Sequence, residues 1–250
     1  MVATSERTSG RPTPGRLARA LPQRARPWRI GAAALALALG LSACGSAGSN
    51  GVSELSAAKA LAEARAATLR AGSVRIHGSA TTRGQTVDLD VEIGPHGGGG
   101  TITVKGATLD EVLSHGTIYI RASEAAWRKL IGTASVAALL GGKWISSAAT
   151  GSLAPFAELL DLSELLGKLL PASGSSAKKS PTVRDGRRVL PVVDSKGATV
   201  YIDTTGPAYI EGVGAPPGAS GGVTFDQYGT ARLPSPPAHS TPLASLSSLS

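Results

Sequence analysis

The residue whose surroundings specify chemistry most clearly is Cys44, the one cysteine in 250 residues. It closes the tetrapeptide Leu41-Ser42-Ala43-Cys44, in which an aliphatic residue and two small ones precede a thiol. That is the pattern of a bacterial lipobox. The small residues let a peptidase reach the backbone, and the thiol accepts a diacylglyceryl group before cleavage leaves Cys44 as the first residue. One acyl chain binds a membrane marginally, whereas two or more anchor it stably. The pattern predicts a lipid-anchored protein on the extracytoplasmic face of a cell membrane, with palmitate-type acylation at Cys44. A lone cysteine also excludes an intrachain disulfide framework and a cysteine-rich metal site.

Other chemistry-bearing residues do not converge. No Gly-x-Ser-x-Gly elbow, Walker loop or dinucleotide fingerprint occurs. Gly97 to Gly100 lack the spacing before a helix that a phosphate cradle needs, and they read as a turn. His77, His96, His115 and His239 show no metal-ligand spacing and read as loop or surface histidines. Asp88, Asp90 and Glu92 share one face of a strand, where they project in parallel, whereas catalytic carboxylates converge from different elements. They read as a solvated outer face. Trp127 and Trp144 serve either as core packing or as the lining of a sugar or lipid site. With no constellation of nucleophile, base or metal ligands, no enzyme is expected, and no metal or cofactor is implied.

The formal charge of +8 looks like a nucleic-acid signal until it is divided. Residues 1–30 hold seven arginines against Glu6 alone, whereas the 207 residues from Cys44 onward carry only +2. A nucleic-acid footprint is therefore not supported. The basic segment precedes a 12-residue apolar run, Ile30 to Leu41. A bilayer span needs roughly 20 residues, so the run fits the h-region of a secretory signal. No Arg-Arg pair precedes it, which favours the general secretory route. The long basic stretch is also compatible with a start codon placed too far upstream.

These features divide the chain into a signal peptide (1–43), a lipidated cysteine with a Gly/Ser tether (44–52), a folded domain (53–233) and a Pro/Ser-rich tail (234–250) that reads as disordered. Ser53 is expected to cap an Ala-rich helix to about Ala71, stopped by Gly72. Strands follow at Val74 and Ile76, at Val87, Leu89, Val91 and Ile93, at Ile102 and Val104, and at Ile118 and Ile120. The second of these alternates most cleanly with acidic residues. Trp144 and Ile145 lead into an irregular segment. A helix is expected from Pro155 through Leu170, and a second strand group from Thr182 to Tyr228. Runs of strands separated by helices argue for α+β with antiparallel sheet.

The helix to Leu170 carries seven leucines, with Glu158, Asp161, Glu164 and Lys168 on one stripe. A helix apolar around most of its circumference touches more than one surface. Either it lies buried across the open face of the sheet, or its leucine face lines an apolar cavity.

The order of elements and several short phrases carry a resemblance. The phrases are "SVRIHGSATTRGQTVDLDVEI", "GTIYIRA" with "GKWI", "VLPVVDSKGATVYIDTTGPAYIEGV" and "GVTFDQYG". Over roughly residues 54–233 the chain resembles the actinobacterial envelope lipoproteins of the LppX/LprG/LprA/LprF type, which are similar in fold to the LolA carrier. The resemblance implies a curved antiparallel half-barrel with helices covering its concave face. It also implies an apolar cavity for a lipid, glycolipid or other acylated molecule, and no catalytic residues. By position the cavity side would be Val87, Leu89, Val91, Ile93, Ile102, Val104, Ile118 and Ile120, with helix residues Leu159, Leu162 and Leu166 opposite. Such a sheath removes acyl chains from water at about 0.8 kcal/mol per methylene. The same residues equally suit a filled core, in which case the chain would be a structural or interaction lipoprotein that binds an envelope protein.

Overall fold

The alternating run Val87, Leu89, Val91, Ile93 forms the middle of a meander in a computed structural model of the chain, which describes residues 48–82, 84–151, 153–170 and 176–246. The expected signal segment and Cys44 lie outside the described residues, all of which belong to one compact unit.

A 3-10 turn at Val52–Glu54 precedes α1 (Ala57–Arg70). Its cap is Ser56, not Ser53, and the Ser56 hydroxyl accepts from the Lys59 amide at 3.4 Å. Five strands follow: β1 (Val74–Thr82), β2 (Gln85–Gly94), β3 (Gly97–Val104), β4 (Ala107–Ser114) and β5 (Thr117–Ala122). The hairpins β3–β4 and β4–β5 turn on Lys105-Gly106 (φ 52° and 68°) and His115-Gly116 (φ 48° and 77°). Positive φ at both central residues is what a type I′ turn requires, and its twist matches that of the strands. Then come α2 (Glu124–Ile131), α3 (Ala134–Leu140), β6 (Trp144–Ala148), α4 (Ala154–Ala157) and α5 (Leu162–Leu169). The remaining strands are β7 (Ala177–Lys178), β8 (Thr182–Arg184), β9 (Arg187–Val193), β10 (Thr199–Asp203), β11 (Ile210–Gly214), β12 (Ser220–Asp226) and β13 (Thr241–Pro242).

The described strands join one sheet in the order β13-β6-β5-β4-β3-β2-β1-β12-β11-β10-β9-β7, with β8 also paired to β9. Only the pairing of β13 with β6 is parallel. The two strand groups seen in the sequence meet along β1 and β12, in register from Arg75↔Asp226 to Thr81↔Ser220. The architecture is α+β, a large open curved sheet, mostly antiparallel and with few helices, consistent with a half-barrel.

The register sorts the inward face into rows. One runs Val192, Val200, Val213, Val223, Gly78, Leu89, Ile102, Leu109, Ala122 across nine strands. Another runs Phe225, Ile76, Val91, Gly100, Glu111, Ile120, Ile145. Their aliphatic side chains form one core with Ala60, Leu61 and Ala64 of α1 and with Leu160, Leu162, Leu165 and Leu166. Each fully buried aliphatic or phenyl side chain contributes about 1.5–3 kcal/mol. An exposed ion pair contributes at most about 1 kcal/mol, so these rows hold the sheet together.

Four further sequence expectations are corrected by the tertiary structure. Gly97 to Gly100 are strand residues of β3, not a turn. A Cβ on Gly100, at φ 150°, would stand 2.1 Å from the Asp90 carbonyl oxygen and 2.8 Å from Val91 Cα. The neighbouring backbone comes too close for any side chain, so pairing here requires glycine. Trp144 and Ile145 are ordered in β6, where Ile145 pairs with Ile120. The leucine helix is broken rather than continuous. After α4 a 3-10 turn, Glu158–Leu160, leads to Asp161, whose extended backbone ends one helix and whose Oδ1 caps the next, accepting from the Glu164 amide at 3.0 Å.

The tail is the fourth correction, because residues 234–246 pack across the sheet instead of being disordered. Pro234 Cγ lies 2.5 Å from where a Gly99 Cβ would stand, and Ser240 Oγ is 3.0 Å from Ser146 Oγ. Gly99, Val112, Tyr119 and Ser146 are register neighbours on the outer face, so the strap follows one row from β3 to β6. Val112 beneath it is 4% exposed. A Pro/Ser segment has no apolar pattern of its own, but a bare glycine and the open edge of β6 supply its partners.

Candidate functional site

Where the β1–β2 hairpin stands beside the β11–β12 hairpin and the end of α5, the inward rows reach an open groove of about 360 Å³. Its walls include Ala80, Val87, Leu169, Val213, Pro216 and Val223, with Thr81, Gln85 and Lys168 among the polar lining. The pairings Ala80↔Val87 and Val213↔Val223 set two aliphatic pairs side by side, and Gly78↔Val223 joins their strands. Val87 is 38% exposed, a large aliphatic side chain that the core leaves uncovered. The Lys168 ammonium is held by the Glu158 carboxylate. Small-molecule pockets run from roughly 300 to 1,000 Å³, and this groove falls at the small end of that range.

Of the eleven residues expected to line a cavity, Val87 alone borders this groove. Val91, Ile93, Ile102, Ile118, Ile120, Leu162 and Leu166 are buried in the core, and Leu89, Val104 and Leu159 pack partly buried against it. The remaining walls come from the end of β1, from β11, β12 and the turn between them, and from the last turn of α5, with Gln85 of β2 and Ala198 before β10. Sequence reasoning passed over them because Gly and Pro interrupt their alternation. Cys44, the residue expected to be lipidated, lies outside the described residues. The chain enters the fold just after it, at Asn50, whose amide donates to the Thr204 carbonyl at 2.9 Å. Thr204 follows one end of β10, and Ala198, beside the groove, precedes the other. Tether and groove therefore lie at opposite ends of that strand.

A second feature lies deeper. Glu111 on β4 is 1% exposed, and neither carboxyl oxygen has a hydrogen-bond partner. Strand alternation turns it inward with Leu109, between Gly100 and Ile120. Burial pushes its carboxyl up to about 8, since removal from water penalises the charged form. The signal was present in the sequence: in Leu109-Asp110-Glu111-Val112-Leu113 the glutamate occupies an apolar phase.

Several of the other candidates have structural partners. Arg75 forks onto Asp90 at 2.8 and 2.9 Å, and the guanidinium holds that carboxyl below its usual range. His77 Nε2 lies 3.3 Å from Asp226 Oδ2, and His96 and His115 stack with centroids 6.2 Å apart. Trp127 is buried with its Nε1 unpaired, and Trp144 is covered by the Arg121 guanidinium at 4.7 Å. Neither tryptophan borders the groove. Among the described residues no group of His, Cys, Asp and Glu is placed to hold a metal ion. No described helix is long and apolar enough to cross a membrane.

Fold and groove together define a class: an α+β protein built on one open curved sheet with an aliphatic groove at one end. No protein-family model matches the chain, and no curated protein does. Among solved structures it is similar to the crystal structure of a DUF1329 family protein from Desulfovibrio piger, at 7% identity and a TM-score of 0.28. The match covers 69% of this chain and 92% of that one. A superposition at that level carries no functional argument.

Proposed function

We propose that this chain is a non-enzymatic, membrane-anchored extracytoplasmic lipoprotein that binds a lipid or acylated molecule. The diacylglyceryl group on Cys44 supplies the anchor, and the helices cover the concave face of a LolA-like half-barrel. The groove beside Val87 and Val223 is the observation that carries this reading. It is aliphatic and open in a protein whose other large aliphatic side chains are mostly packed. Each methylene transferred into it contributes about 0.8 kcal/mol, less the cost of immobilising the ligand. Its position, across β10 from the tether, leaves the mouth free when the chain is anchored.

The filled interior favours a second reading, because seven of the expected lining residues pack as core. On that reading the protein is an interaction lipoprotein, and its partner is an envelope protein. Native mass spectrometry separates the two. The chain from Gly45, exported without its anchor from an actinobacterial host, should carry extra mass that organic solvent releases as acyl lipid. A bare polypeptide mass that takes up no added phospholipid or glycolipid overturns the lipid-binding reading.

A further inference from the structure

We infer that Glu111 is the internal polar contact of the lipid site, receiving the hydroxyl group of an alkyl or acyl ligand that enters through the groove. The inference rests on the lipid-binding reading above. Glu111 belongs to an inward row otherwise made of Phe225, Ile76, Val91, Gly100, Ile120 and Ile145. Buried polar groups are ordinarily paired, yet both oxygens here are free of partners. A leucine at this position would satisfy the alternation of β4 without stranding a carboxyl in the core.

The groove and the carboxyl share one face of the sheet. From Val87 to Val91 is four residues along β2, and from β2 to β4 is two strand spacings, which together make about 16 Å. The half-buried Leu89 and the buried Ile102 stand between. The 3-10 turn Glu158–Leu160, the break between α4 and α5, packs on β2 and β3.

The state of the carboxyl selects the ligand chemistry. Raised to about 8 by burial, it is the neutral acid at pH 7, with one donor and one acceptor. A hydroxyl group answers both: its O–H donates to the carboxyl C=O, and its oxygen accepts from the carboxyl O–H. An ether oxygen only accepts. A carboxylate or phosphate head would bring a charge into an apolar row with no cation to meet it.

The test compares oleyl alcohol with oleyl methyl ether, which share a hydrocarbon chain and differ in the O–H donor. The described residues form one compact unit, so the chain from Gly45 is used, as wild type, Glu111→Gln and Glu111→Leu, titrated by native mass spectrometry. Wild type should prefer the alcohol by about tenfold, the scale of one buried hydrogen bond. Glu111→Gln keeps a donor and an acceptor and should keep most of that preference. Glu111→Leu should bind both alike, with the ether unaffected. Retention of the preference in Glu111→Leu, or its absence from wild type, overturns the role of Glu111 while lipid binding stands. Uptake of neither compound by wild type removes the lipid-binding reading and this inference with it.

Discussion

Replacing Glu111 by leucine stabilises the fold by an amount that grows with pH. In the folded chain the carboxyl titrates near 8, against an ordinary value of 4.5. Between those values the unfolded chain has released a proton that the folded chain still holds. Folded stability therefore falls as pH rises, by about 1.4 kcal/mol per pH unit. By pH 7 the loss is roughly 3 kcal/mol, and below pH 4.5 it vanishes because both states are protonated. A pH-independent cost of about 1–3 kcal/mol remains for an unpaired buried polar group. Leucine removes both contributions. Urea unfolding of the two proteins at pH 5, 6, 7 and 8 reads the difference directly, since every other titrating group is common to them. The gap should widen by about 2.5 kcal/mol from pH 5 to pH 7, a midpoint change of roughly 1 M or more at the usual urea dependence. A gap that does not change with pH would refute the reasoning. So would a wild type more stable than the variant at pH 7, which requires a partner for the carboxylate.

Gly100→Ala drives a Cβ into the Asp90 carbonyl and should destabilise the fold by at least about 3 kcal/mol in the same assay; an unchanged midpoint would show that β2 and β3 can separate there. Truncation after Leu233 removes the strap over Val112 and should cost at least about 1.5–3 kcal/mol, the burial of one valine, because Leu243 and Leu246, which pack against the core, go with it; full stability in the truncated chain would make the strap dispensable. Val87→Trp places an indole in the groove from a position already 38% exposed. Stability should stay within about 1 kcal/mol, whereas lipid uptake in native mass spectrometry should disappear, and undiminished uptake would move the site elsewhere. Cys44→Ala should abolish incorporation of an alkynyl palmitate probe in cells, and persistent labelling would sink the lipobox assignment.

Where side chains alternate, the fold is legible without coordinates. Val87 to Ile93 and Ile118 with Ile120 announce β2 and β5, because period-two burial is a local property of an extended chain. Beside them β3 was hidden. Its first half is Gly97 to Gly100, which has no side chains to alternate, and only the approach of the Asp90 carbonyl shows why glycine is needed. The break at Asp161 was hidden for a related reason. Leucines on both sides continue one apolar pattern, and the capping carboxyl reads as one more member of a polar stripe. The groove fell between these signals, since it combines β1 and β2 with strands more than 120 residues later.

By itself the sequence determined the fold class and supplied an expectation for the address. A lipobox is read as a linear string, charge partition is a count, and α+β follows from runs of strands around runs of helices. Tertiary structure decided which aliphatic residues are core and which face an opening, that the Pro/Ser tail straps the outer face, and that one glutamate is enclosed without a partner. Each of these depends on pairing between distant segments, β1 with β12 and β6 with β13, whose register is set by the packing of the whole sheet.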